Sequence, residues 1–319
     1  MGLRETFQKQ GGMKLIRQYI RNGTLITAVV QFLLLGKGRT GLEILRLSTQ
    51  YKTKKKLEKK YAKNLKEFDE QYDNNLTRVP SNKVWICWLQ GIENAPEIVK
   101  LCYESVKKKL IDKEVVLLTA KNIRDYVSLP DYILQKWKDG VITNTHLTDL
   151  LRLELLIKHG GMWLDATVLC SERVENIPTY FFDSDLFFYQ NLKPGRDGDG
   201  FYISSWLMSA RTNNKILMAT RLLCYEYWKR NSSMDDYYLL HAFMSIVLDH
   251  YPEEWNAVIP RNNAAPHMLL LRLFDQYNEK LWIAIKDQTP FHKLSYKYNE
   301  EETKKQRTFY KAIVEGVIQ

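Results

Sequence analysis

The chain has 319 residues, 45% hydrophobic and 12% aromatic, which is enough for the buried core of one large or two modest domains. Its net charge of +10 is confined to one end: residues 1–66 hold 16 Lys and Arg against three acids, and the remainder holds 31 against 34. That asymmetry excludes a uniformly basic nucleic-acid-binding surface, so no nucleic-acid partner is expected.

In chain order, the first pattern is MKLIRQYIRNG, which places Leu15, Ile16, Tyr19 and Ile20 on one helical face. A dozen mostly apolar residues follow from Thr24 to Leu35, interrupted by Gln31. About 20 are needed to span a bilayer, so this run does not read as a transmembrane helix. It also starts late for a signal peptide, and no small-residue cleavage site precedes GKGRTG. LEILRLSTQYKTKKKLEKKYAKNLKEF then reads as a helix carrying a lysine cluster from Lys52 to Lys66. An apolar plug beside basic helices is the pattern of a segment lying on an anionic membrane surface. Each near-surface Lys or Arg contributes about 1 kcal/mol there. The alternative is a helical hairpin docked on the protein with its lysines solvated. Residues 1–80 are therefore expected to form a basic, amphipathic, membrane-associating segment, and residues 81–319 the main domain.

The main domain opens with VWICWLQG (84–91), a buried strand ending in a glycine turn. APEIVKLCYESVKK is a helix with Pro96 in its first turn, and EVVLLT is a second strand. Helical stretches follow around 123–127 and 132–138. THLTDLLRLELLIKHGG is a strongly apolar helix stopped by Gly160 and Gly161. Next comes the strand MWLDATVLC, an aromatic-rich section to about Ser209, and helices over 214–230 and 235–249. Strands alternating with helices imply an α/β fold with a mainly parallel sheet. Cys87, Cys102, Cys170 and Cys224 stand far apart, mostly in apolar runs with no metal-ligand spacing, and read as reduced core residues.

Asp165 is the anomaly of the strand, because an acid inside an apolar run costs several kcal/mol unless it is paired, ligated or aimed into a cleft. The preceding helix carries Asp149 and Arg152, which share a face at a spacing of three. Together with Trp163 they can converge with Asp165 at a strand's carboxyl end, where open α/β sheets bind ligands. Carboxylates accept from sugar or ribose hydroxyls and Arg donates in a fork, which suits a sugar nucleotide. The same spacing also fits a structural ion pair with Asp165 capping a turn. A literal Asp-x-Asp occurs elsewhere, at Asp183 and Asp185, but without a comparable approach it reads as a turn.

The stretch THLTDLLRLELLIKHGGMWLDATVLC resembles the DxD-containing, sugar-binding glycosyltransferases. The resemblance is to glycosyltransferase family 32 and its relatives, especially the bacterial capsular polysaccharide synthesis proteins. The pattern is a small residue and Asp-x-x-Arg on a helix, then Gly-Gly-x-aromatic-x-Asp-x-Asp. Thr148, Asp149 and Arg152 match the first part, and Gly160, Gly161, Trp163, Leu164 and Asp165 the second. Thr167 stands where the second acid usually does, a departure the capsular subgroup tolerates. VWICWLQGIENAPEIVKLCYESVKK resembles the family's first strand and helix, MDDYYLLHAFM its aspartate-tyrosine segment, and TPFHKLSYK its C-terminal histidine-lysine element. Together these cover roughly residues 83–298.

The resemblance implies a GT-A type, Rossmann-like domain and a retaining transfer of a hexose from a nucleotide donor, UDP-galactose or UDP-glucose. It assigns Asp149, Arg152 and Asp165 to the catalytic centre. Trp88, Gln90, Trp163, Lys293 and Lys297 join those three around the donor. Mn²⁺ or Mg²⁺ is implied, with Asp165, Thr167, His292 and Asp236 as candidate ligands. Because Thr167 carries no charge, the alternative is that Lys293, Lys297 or an arginine neutralises the diphosphate directly. The implied acceptor is a polyprenyl-diphosphate-linked saccharide, and the implied location is peripheral, on the cytoplasmic face of a bacterial cell membrane. Two other readings stay open: a protein or soluble glycan acceptor, and a non-catalytic membrane-bound scaffold.

Overall fold

Helices of eight residues or more are numbered here in chain order. α1 (Gly12–Asn22), α2 (Leu25–Leu35) and the 33-residue α3 (Arg39–Gln71) precede the first strand. β1 (Lys83–Cys87), α4 (Glu97–Lys109), β2 (Glu114–Leu118), α5 (Asp131–Lys138) and α6 (Asn144–His159) follow. Then come β3 (Gly161–Asp165), β4 (Val168–Cys170), β5 (Leu186–Gln190) and β6 (Ile203–Ala210). α7 (Lys215–Arg230), α8 (Leu239–His250), α9 (Glu279–Lys286) and β7 (Phe291–Lys293) complete the set. This computed structural model describes residues 12–191, 201 and 203–318.

The central sheet runs β2-β1-β3-β6-β5. β2, β1 and β3 are parallel, β6 is antiparallel to β3, and β5 is antiparallel to β6. It is a mixed α/β fold with a mainly parallel sheet, as the alternating pattern predicts. Both faces are covered, so β3 is buried along its length except at Asp165. Alternate residues divide between two cores. Trp85, Trp163 and Met208 face a layer built on α3, α6, α7 and α8. Val84, Met162 and Leu207 face α4 and the C-terminal elements. Trp163 and Asp165, two apart, therefore present to the same side as α6.

The turn from α6 into β3 is built tightly. Gly160 (φ 64°) donates its N–H to Leu156 O and accepts from the Trp85 indole at 2.9 Å. Gly161 follows at φ 92°, and a Cβ there would meet the Lys83 carbonyl oxygen at 2.3 Å. Strand β1 thus passes so close that only hydrogen fits. Gly161→Ala is expected to destabilise the protein by about 2–4 kcal/mol, a strained-backbone effect plus a clash. Chemical denaturation would measure it, and an unchanged midpoint would refute this account of the turn.

Two sequence expectations shift. The helix expected over 235–249 begins only at Leu239, because the Asp236 carboxylate accepts the Tyr238 N–H at 2.7 Å and holds a turn there. In addition, α3 is docked on the rest of the protein, the alternative that its sequence left open, although not all of its lysines are solvated. α3 sends Leu57, Tyr61 and Leu65 into the core shared by α7 and α8, and Lys54 pairs with Asp249 at 2.6 Å. Those apolar positions recur at i, i+4 and i+8 between lysines, so a helix that reads as basic is half core. The four cysteines are free, and three of them are buried.

Candidate active site

Strands β1 and β3 end side by side, with Cys87 opposite Asp165. Helix α6 lies over that edge, its start fixed by the Thr143 hydroxyl accepting the His146 N–H. Further along the helix, Arg152 donates through Nη1 to Asp149 Oδ1 at 2.6 Å and through Nη2 to Asp165 Oδ1 at 3.2 Å. The Trp163 indole N–H reaches the same Asp165 oxygen at 3.1 Å, and the guanidinium sits over the Trp163 ring at 4.8 Å from its centroid. One arginine thus bridges two carboxylates from helix and strand, and the cation–π contact fixes its plane. This is the convergence expected from the spacing.

A second layer holds Asp149. Trp228 donates to His146 Nε2 at 2.9 Å, which leaves the proton on Nδ1, 3.4 Å from Asp149 Oδ2. Burial alone would raise the Asp149 carboxyl, but His146 and Arg152 outweigh it and hold the group below the usual carboxylate range. His146 was missed in the sequence, although it stands three residues before Asp149 on the same helical face. His241, from α8, also lies in the field of Asp149, Arg152 and Asp165. Burial pushes its imidazole down to about 4, so it is neutral at pH 7 and packs against Tyr238.

Beyond the end of β3, β7 pairs with β4, and Leu294 N donates to Thr167 O. This brings Lys293 to Thr167: its Nζ donates to Thr167 Oγ1 at 2.5 Å and lies 3.5 Å from Asp165 Oδ2. Asp165 is thereby held on Oδ1 by Arg152 and Trp163 and faced on Oδ2 by an ammonium. Two carboxylates meet two cations, and the cluster is close to neutral.

The other expected residues fall at different distances from this centre. Trp88 follows β1 directly; its indole N–H is buried with no acceptor in the described protein, and its ring meets Tyr296 edge-on at 5.3 Å. Lys297 is exposed with its Nζ over the Tyr296 ring, and Gln90 is exposed in the turn after β1. These three rim the same edge of the sheet. His292 does not join it. Adjacent to Lys293 in a strand, it points the opposite way. Its Nε2 meets the Ser171 hydroxyl at 3.0 Å, and its ring packs on Trp282. Burial pushes it down to about 3, a neutral core histidine. Asp236 is also elsewhere, its carboxylate engaged by Tyr238 and raised to about 6 by burial.

The ligand set that the resemblance implied for a divalent cation therefore does not assemble. Thr167 Oγ1 and Asp165 Oδ2 both address Lys293, while His292 and Asp236 face other surroundings. Among the described residues, no three His, Cys, Asp or Glu side chains group as metal ligands. The Asp183-Ser184-Asp185 step precedes β5 and so lies at the amino end of a strand running parallel to β3, the wrong edge of the sheet. Asp185 is tied there to Arg78 at 2.6 Å and to Asn214 at 3.0 Å.

The sequence model of the family described as "Capsular polysaccharide synthesis protein" matches residues 42–313. Two fungal proteins are similar over shorter stretches. The O-glycosyltransferase PaGT of Phomopsis amygdali is 25% identical over 167 residues, 48% of this chain and 40% of that protein. The O-glycosyltransferase braB of Annulohypoxylon truncatum is 34% identical over 109 residues, 31% of this chain and 26% of that protein. The chain thus spans well under half the length of these curated relatives. Among solved structures, it is similar to a chain named PaToxG Glycosyltransferase, with 14% identity and a TM-score of 0.37 over 83% of this chain and 97% of that one.

Proposed function

Since the chain belongs to the capsular polysaccharide synthesis protein family, we propose that it is a GT-A type glycosyltransferase acting at the Asp149–Arg152–Asp165 cluster. The observation that carries this reading is the single guanidinium bridging both carboxylates at the carboxyl ends of β1 and β3. In such a reaction the anomeric C–O bond to the nucleoside diphosphate breaks and its electron pair leaves with the diphosphate. The acceptor hydroxyl oxygen bonds that carbon, and its proton departs with the leaving group.

Each side chain has a part in this scheme. Asp149 and Asp165 accept donor hydroxyls, while Arg152 holds the two carboxylates in place. Trp88 offers a ring face and a buried indole N–H to the nucleotide base. Arg152 Nε, also buried without an acceptor in the described protein, adds a second donor. Lys293 supplies the positive charge opposite the leaving diphosphate, the electrostatic part of the catalysis. The scheme requires no divalent cation, because an ammonium already stands between Thr167 and Asp165.

The donor is a UDP-hexose and the product retains the anomeric configuration, both following the resemblance of the Asp-x-x-Arg helix and the glycine-aromatic strand. The acceptor presents a hydroxyl, which agrees with the names of the two fungal O-glycosyltransferases. A lipid-linked saccharide suits the apolar N-terminal helices. Purified protein incubated with a panel of nucleotide sugars, with and without EDTA, tests the reading. Slow donor hydrolysis by the wild type, lost in Asp165→Asn, is the expected result; no hydrolysis of any donor would favour a non-catalytic scaffold.

A further inference from the structure

Exposed large apolar side chains are unevenly distributed over this protein. Of the 19 among the described residues, 11 lie between Met13 and Tyr51. On α2, Ile26, Val29, Val30, Leu33 and Leu34 follow helical spacing, and Ile26, Leu33 and Leu34 are 77–79% exposed. Only Ala28 of that helix is buried. On α3, which packs against α2, Ile44, Leu47 and Tyr51 continue the exposed apolar surface. Isolated apolar side chains on a surface need no explanation, but a contiguous set on neighbouring helices marks an interaction site.

The surrounding charge identifies the occupant. Residues 12–51 contain six Lys and Arg and one acid, Glu43. Arg46 pairs with that acid at 2.6 Å, and Arg21 faces Asp235 at 3.7 Å, so these acids are each met by an arginine. The exposed Lys37 and Arg39 sit in and just after the turn that joins the two apolar helices. No described helix is long and apolar enough to cross a membrane. We infer that α2 and the first turns of α3 form a monotopic docking face that lies in the headgroup layer of an anionic lipid bilayer. Apolar residues enter the acyl boundary while the basic rim meets lipid phosphates, the usual arrangement of an in-plane helix.

This face is joined to the loop that leads to the cluster. Arg21 and Asn22 of α1 bind the carbonyl oxygens of Met234 and Asp235 at 3.0 and 2.7 Å. That loop leads directly into α8 and His241 beside Asp149 and Arg152. The docking face goes beyond the proposed reaction and does not depend on it. If both are right, the acceptor is presented at the same surface.

Cosedimentation of the full chain with phosphatidylglycerol–phosphatidylcholine vesicles tests the inference, with phosphatidylcholine vesicles as the neutral comparison. The wild type should pellet with the anionic vesicles, at roughly ten times the partitioning seen on neutral ones. Leu33→Glu/Leu34→Glu changes two solvent-exposed positions, so it should keep the wild-type unfolding midpoint and donor hydrolysis while losing at least about tenfold in vesicle binding. Equal pelleting of wild type and variant would overturn the assignment, as would equal binding to neutral and anionic vesicles. A dimer by light scattering that the double variant dissolves would instead assign the face to a second copy of this chain.

Discussion

Arg152→Ala should cost the fold about 3–5 kcal/mol, because it removes the partner of an acid that stays buried. Asp149 is 6% exposed and Arg152 3%, so solvent cannot take over the lost interaction. The pH dependence carries a signature. Asp149 has a depressed folded-state value, so its contribution is present above the unfolded carboxylate value near 4 and disappears as pH falls through the lower folded value. Without Arg152 the folded value rises, and the acid limb of the stability curve should move to higher pH. Arg152→Lys separates folding from function: the charge stays, but one ammonium cannot bridge Asp149 and Asp165 in a fork. It should fold nearly normally while donor turnover falls on the order of 100-fold. Thermal unfolding from pH 7 to about 3, together with donor hydrolysis, reads both effects. Wild-type turnover in Arg152→Lys would remove the bridged carboxylates from the reaction.

Lys293→Met should reduce turnover by roughly 10²–10³, the loss expected when a preorganised group opposite a developing negative charge is deleted. Methionine keeps the length of the side chain, and Lys293 is not fully enclosed, so the protein should remain folded. The wild type should be indifferent to EDTA, because the positive charge at Thr167 and Asp165 is part of the chain. The opposite pattern, full activity in Lys293→Met and loss of wild-type activity on chelation, would return the diphosphate to a divalent cation. A steady-state assay with the best donor from the panel suffices for both arms.

What could be read in advance follows sequence distance. Asp149, Arg152, Trp163 and Asp165 lie within 17 residues on a helix, a glycine turn and a strand, so local periodicity alone brings them together. His146 is equally local, one helical turn before Asp149, but its place among polar residues at the helix start gives no sign of its burial. The β4–β7 pairing joins segments more than 120 residues apart, and spacing cannot give its register. A slip of one residue in β7 would exchange His292 for Lys293. That parity decides between a metal ligand and an ammonium at Thr167. The docking of α3 on the protein was one of two readings open in the sequence, and its lysines mask it: they dominate the composition while Leu57, Tyr61 and Leu65 join the core.

Helix α3 also sets a length. At 1.5 Å per residue its 33 residues make a rod about 50 Å long. Its first turns carry the proposed docking face, and from Leu57 onward it is locked into the same core as α7 and α8. An uninterrupted helix anchored at both ends acts as a gauge block: it fixes the height and tilt of the cleft above whatever the first turns rest on. An acceptor whose hydroxyl stands at that height is met without any closing motion, and one a few sugars taller is presented out of reach. The reach of the catalyst would then be a selectivity filter set by the rigid register of α3, which Lys54 holds through Asp249.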